Sequence, residues 1–149
     1  MYPFPADHLS TSLNTIGYRI GTRVLELMVW RAESASKAPK REIRFLPALM
    51  SIHTNVWKAV FGKPADAIEK SVQNEDECLS ACYLTPRGPT NTNPKTDMII
   101  DNDPVITRNI SVPRDMSQLS CSSFTAGIVE AVLDGLGFVS LGTISRSPD

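Results

Sequence analysis

Cysteine, histidine, net charge and long apolar runs are all scarce in this chain of 149 residues. Its 3 cysteines, Cys78, Cys82 and Cys121, are too few and odd in number for a disulfide framework, which fits a reducing compartment. A zinc site needs four ligands, and the 2 histidines, His8 and His53, lie far along the chain from Cys78 and Cys82. The C-x3-C spacing therefore reads as free thiols. A formal net charge of −1 and a pI of about 6.1 leave no global field to attract nucleic acid or an anionic membrane. No run approaches the roughly eighteen apolar residues of a spanning helix, and the amino terminus has no basic region leading into an apolar core. The expectation is a cytosolic chain with no transmembrane segment and no nucleic-acid partner.

The motifs of small-molecule chemistry are also missing. Neither G-x-x-x-x-G-K-[ST] nor G-x-G-x-x-G after a strand occurs, so no backbone cradle for phosphate is expected. Asp97, Asp101 and Asp103 crowd one short stretch but lack the glycine and bidentate glutamate of a calcium loop, and turn chemistry accounts for them. Asn109 opens an N-I-S sequon that a cytosolic chain would not use. No metal, cofactor or catalytic residue is assigned.

What is present is mostly helical. "LSTSLNTIGYRIGTRVLELMVWR" places Leu13, Ile16, Ile20, Val24 and Met28 at steps of three and four, which predicts an amphipathic helix. Gly17 and Gly21, four apart, let another backbone approach closely, either a partner's helix or one from the same chain. "RAESASKAPKRE" reads as a loop. "EIRFLPALMSIHTNVWKAVFG" resumes a helical repeat through Ile43, Leu46, Met50, Trp57 and Phe61, with Pro47 as a kink or a first turn and Gly62 as the stop. "KPADAIEKSVQ" predicts one further short helix, and "CLSACYLTPRGPTNTNPKT", residues 78–96, a long exposed loop. "MIIDNDPVITRNISVP" predicts the chain's one clear hairpin, turning at "DNDP".

The last helix, within "SSFTAGIVEAVLDGLGF", is apolar on nearly every side. Phe124, Ile128, Ala131 and Val132 define one flank, while Ala126, Gly127, Val129, Leu133 and Leu136 fill most of the rest. Burying each large aliphatic side chain contributes roughly 1.5–3 kcal/mol, so a wet flank would forgo several. One face is expected on the hairpin and the other on the long helices of this chain, on a second subunit, or on both. Ser120, Ser122 or Ser123 can cap its start, and Gly135 or Gly137 can provide a left-handed exit. Glu130 and Asp134 mark its polar edge.

"NISVPRDMSQLSCSSFTAGIVEAVLDGLGF" resembles the signature region of the TRAPP (transport protein particle) complex subunit 5 family. "IGTRVLELMVWR", "VWKAVFGKPADAIEK" and "DNDPVITRNISVP" follow the same family in the same order. The resemblance implies an α+β fold of the Bet-three-like small-subunit type, with helices packed on one side of an antiparallel sheet. It implies a non-catalytic scaffold in a vesicle-tethering particle that activates a Rab GTPase in ER-to-Golgi traffic. Implied partners are small subunits of the Bet-three and sedlin types, with peripheral residence at the cis-Golgi and endoplasmic reticulum. A lipid tunnel with an acylated cysteine belongs to a paralogue, and nothing here matches that site.

Two stretches depart from the family within the single domain, 1–149. Residues 78–96 read as an insert, and 139–149, "VSLGTISRSPD", as a tail that replaces the two strands completing the sheet. Retained intron sequence or altered splicing would explain both. The sheet is then expected to shrink to one hairpin, leaving a weakly stable or aggregation-prone chain with an open edge. Gly17, Gly21, Trp30, Trp57 and Phe61 are candidate interface residues, with Phe124, Ile128 and Val132 of the last helix. The rival reading is a small-molecule binding or hydrolytic domain using Cys121, Ser122 or Ser123 at the opening of that helix.

Overall fold

The computed structural model describes residues 6–35, 43–70, 81–86, 97–116, 119–138 and 140–145. Helix α1 (Ala6–Ser34) leads to α2 (Phe45–Ser51), a π-helical turn (Ile52–Val56) and α3 (Trp57–Phe61). Strands β1 (Ala67–Lys70), β2 (Ala81–Pro86) and β3 (Asp97–Ile100) precede a 3-10 turn (Arg114–Met116), helix α4 (Ser123–Leu136) and strand β4 (Ser140–Ser145). All strand pairs are antiparallel, in the order β1-β3-β2-β4. Helices on a small antiparallel sheet are the α+β architecture expected from the sequence.

The path of the strands differs from the expected hairpin. Residues after "DNDP" turn at Pro104–Thr107 and return no strand; β3 pairs instead with β1, Ala67 opposite Ile100, and with β2, Ala81 opposite Ile100 on the other side. Isoleucine and valine at 105, 106, 110 and 112 carry strand propensity, but the two-residue rhythm never finds a neighbouring ladder, and tertiary context decides. The helix predicted for "KPADAIEKSVQ" is likewise replaced: Asp66 and Ala67–Lys70 join β3, and residues 71–73 lie outside the described set. Within the stretch read as a long loop, Ala81–Pro86 is a strand in the interior of the sheet. With β4 on its far side, the sheet has four strands among the described residues rather than one hairpin.

The core lies between α4, the α2–α3 segment and β3. Leu49, Ile52, Ile99, Ile128, Val129, Val132 and Leu133 are its largest fully buried side chains. Phe45 meets Phe138 edge to face at 5.8 Å, and Trp57 stacks at a tilt on Phe61 at 5.2 Å. Pro47 falls in the first turn of α2, where its missing N–H costs no internal hydrogen bond. The extra residue of the π turn re-aims the helix: Leu46 and Met50 face outward while Ile52, Val56 and Trp57 face the core. Gly62 (φ 80°) ends α3 in the left-handed region. Gly137 (φ 90°) does the same for α4, its N–H donating to Asp134 while that of Phe138 reaches Leu133.

α1 supplies the second cover for α4. Gly17 and Gly21 are buried where the two helices cross. A Cβ on Gly21 would stand 2.6 Å from the Ile128 carbonyl oxygen, and one on Gly17 2.9 Å from the Phe124 carbonyl carbon. Gly127 of α4 answers from the other side, where a Cβ would stand 2.8 Å from the Tyr18 nitrogen. Backbone thus meets backbone, and the apolar α4 is closed by its own chain. Tyr18 donates to Asp134 at 2.9 Å and Asn14 to Glu130 at 3.4 Å, bridging the polar edge of the crossing.

Candidate protein interface

With its inner side committed to α4, α1 keeps a second apolar stripe. Ile16, Ile20, Leu27 and Trp30 recur at helical spacing and are 50%, 38%, 43% and 64% exposed. Arg23 lies along the same line, ion-paired with Glu26 at 2.9 Å, and Arg19 flanks it. Beyond the helix, Ile43, Leu46 and Met50 are exposed at the start of α2. An apolar stripe of this length, rimmed by charge, is the kind of surface that marks a protein contact.

The residues singled out from sequence divide between core and surface. Trp30 is the most exposed member of the α1 stripe. Gly17 and Gly21 form the crossing within the chain, so they offer no surface to a partner. Trp57, Ile128 and Val132 are 3%, 1% and 1% exposed, and their interface reading is withdrawn for the same reason. Phe61 and Phe124 are half-buried and pack against that core. Ile16 and Ile20, read as one stripe with Val24 and Met28, belong to the opposite side. The missed signal was width: large apolar residues occupy two faces of α1, and a single-stripe reading merges them.

Trp57 has a polar task as well. Its indole N–H donates at 3.0 Å to Asp101, a carboxylate only 4% exposed. The same group accepts from the Lys63 ammonium at 3.0 Å and the Asp103 main-chain N–H at 3.2 Å. Lys63 also donates to the Asp103 carbonyl at 2.9 Å. The Asp101 hydrogen bond holds the Lys63 pKa above its ordinary value, with burial opposing it. Arg108 closes the loop by ion-pairing Asp103, and that hydrogen bond holds the Asp103 carboxyl below its usual range. These groups satisfy one another and fasten the loop after β3 to the end of α3.

The alternative site is less assembled. Cys121 is half-buried at the opening of α4, and Ser122 occupies the cap position without a side-chain capping bond. His53 lies in the π turn, its Nε2 buried and without a hydrogen-bond partner among the described residues. Among the described residues no group of three or more His, Cys, Asp or Glu side chains is placed to hold a metal, and no helix is long and apolar enough to cross a membrane.

Comparison with known proteins adds a further observation. The profile of the transport protein particle (TRAPP) component family matches residues 5–149. The chain is 40% identical over 125 residues to trafficking protein particle complex subunit 5 of Dictyostelium discoideum, covering 84% of this chain and 55% of that protein. It is 39% identical over 135 residues to the Homo sapiens protein of that name, covering 91% and 60%. Similarity extends to trafficking protein particle complex subunit 31 of Saccharomyces cerevisiae, 27% identical over 113 residues, or 76% of this chain and 32% of that protein. The matched stretch thus spans little more than half the length of the subunit 5 relatives.

Proposed function

The chain belongs to the TRAPP component family, and from that premise we propose that it is a non-catalytic core subunit of a TRAPP vesicle-tethering complex. In this reading it scaffolds a guanine-nucleotide exchange assembly for a Rab GTPase, which it meets through the complex. Its direct neighbours are other small subunits, of the Bet-three and sedlin types, and it works at the membranes between endoplasmic reticulum and cis-Golgi as a peripheral component. The supporting observation is the outer face of α1, where Ile16, Ile20, Leu27 and Trp30 stay exposed although the helix already covers α4. We further read 78–96 as an insert and 139–149 as a tail foreign to the family, and transcript sequencing with peptide mass spectrometry tests both.

The functional test is capture of other TRAPP subunits by the tagged chain. Wild-type chain should retain them and Ile20→Glu or Trp30→Glu should lose them, with the urea unfolding midpoint unchanged. Cys121→Ala should leave capture intact. Retention by both α1 variants would overturn the assignment of this face, and failure of the wild-type chain to capture any TRAPP subunit would overturn the scaffold reading itself.

A further inference from the structure

The outer stripe of α1 carries a finer pattern than apolarity alone. Ile16, Ile20, Arg23, Leu27 and Trp30 follow one another at steps of four, three, four and three, the 3.5-residue repeat of a narrow coiled-coil seam. All five are exposed. The seam runs about 21 Å, room for two heptads of a second helix crossing at about 20°. An extended strand, with its period of two, cannot follow such a repeat. The central position holds the one charged residue of the five, Arg23. Its guanidinium pairs with Glu26 through side chains 81% and 60% exposed, and an ion pair so open to water is weak and readily exchanged.

Resting on the reading of this face as a subunit contact, we infer that Arg23 determines which subunit it accepts: the occupant is a helix of an unlike chain, with an Asp or Glu opposite Arg23 and apolar residues opposite the other four. A second copy of this chain is disfavoured by the symmetry of the seam. Ile16 and Trp30 lie seven residues either side of Arg23, and Ile20 and Leu27 three and four, so an antiparallel copy sets Arg23 against its own image. A parallel copy in register does the same. Either pairing encloses two like charges between apolar layers, and sliding by a heptad to part them uncovers about half the seam. A carboxylate at that place has the opposite effect. It meets the guanidinium fork in bidentate geometry, while Ile20 and Leu27 close over the pair from either side. Enclosing such a pair costs about as much as it returns, so Arg23 supplies register and choice of partner while the four apolar residues supply affinity.

Self-association and capture test this separately. In sedimentation equilibrium, Arg23→Leu makes the seam apolar throughout and should self-associate about tenfold or more tightly than the wild-type chain, a gain that added Ile20→Glu abolishes. In capture of small TRAPP subunits, Arg23→Glu should weaken retention about tenfold or more with the urea midpoint unchanged. Arg23→Lys, which keeps the charge, should be retained more strongly than Arg23→Glu. Carbodiimide treatment of the Arg23→Lys complex should join the amine at position 23 to a carboxylate on a helix of the captured subunit, and replacing that carboxylate by arginine should restore capture by Arg23→Glu. Capture of Arg23→Glu at the wild-type level, alongside loss of Ile20→Glu, would overturn the role of Arg23 and leave the face assignment standing. So would Arg23→Leu that associates no more tightly than the wild-type chain, or no cross-link to the captured subunit at position 23. Failure of the wild-type chain to capture any subunit would overturn the scaffold reading itself, and the inference with it.

Discussion

Gly127→Ala puts the close crossing of α1 and α4 to a test in which two effects have opposite signs. In a helix interior, alanine for glycine is favourable by about 1 kcal/mol from backbone entropy alone. At this position, however, the added Cβ would stand 2.8 Å from the Tyr18 nitrogen, and closer still to the Asn14 carbonyl oxygen. Real Cβ atoms essentially never come within 3.0 Å of such neighbours, and backbone on a 29-residue helix has no rotamer with which to retreat. The helices must separate by about 1 Å, thinning the contact along Val24, Leu25 and Met28. Overpacking typically costs about 1–3 kcal/mol, and an obstacle of main chain belongs at or above the upper end. The net expectation is a loss of about 2 kcal/mol, read as a fall of about 1 M in the urea midpoint. Gly135→Ala is the internal control. Its new Cβ meets the Leu25 Cδ2, the tip of a flexible side chain, so propensity should offset the clash and leave stability nearly unchanged. If Gly127→Ala unfolds at the same or higher urea than the parent, the backbone-to-backbone crossing is wrong.

Asp101→Asn should cost about 1.5–3 kcal/mol in chemical denaturation, because the buried acceptor of Trp57, Lys63 and the Asp103 amide loses its charge. Gly62→Ala should cost about 1 kcal/mol by the same assay, since φ is 80° and a Cβ there meets nothing within 4 Å, leaving backbone strain alone. Tyr18 is pushed above its ordinary pKa of 10.0, first by its hydrogen bond to Asp134. The fold thus favours the neutral phenol, the stabilisation is complete below about pH 10 and fades as pH rises through the folded-state value, and Tyr18→Phe should flatten that alkaline slope in urea titrations. Asp103 is held below its ordinary 3.8 by Arg108, so its contribution is present above that pH and is lost on further acidification; Arg108→Gln should remove that acid dependence.

Periodicity carried the helices and failed on the strands, for separable reasons. α4 was legible because apolar residues crowd every side of it, and Gly137 supplies the left-handed exit that fixes its end. Gly17 and Gly21 announced a close crossing by their spacing, but only coordinates identify the helix crossed, since α4 and a partner's helix satisfy the same pattern. The Ile43–Phe61 stretch looked like one repeat. The π turn at Ile52–Val56 adds a residue to the ladder, so apolar positions before and after it belong to different faces. Sequence periodicity has no marker for that slip. β1 was hidden because Ala67–Lys70 includes only one strongly strand-forming residue, Ile68, and its extended form depends on pairing with Ile99 and Ile100. The α1 stripe failed differently: Ile16 and Ile20 were correctly seen as apolar and helical, and assigned to the wrong side.

The glycine crossing also separates what holds α1 in place from what α1 displays. Its inner attachment joins main chain to main chain at Gly17, Gly21 and Gly127 and is backed by Val24, Leu25 and Met28, none of which lies on the outward stripe. Replacing Ile16, Ile20, Leu27 or Trp30 is therefore expected to alter the face the molecule turns outward while leaving that joint intact.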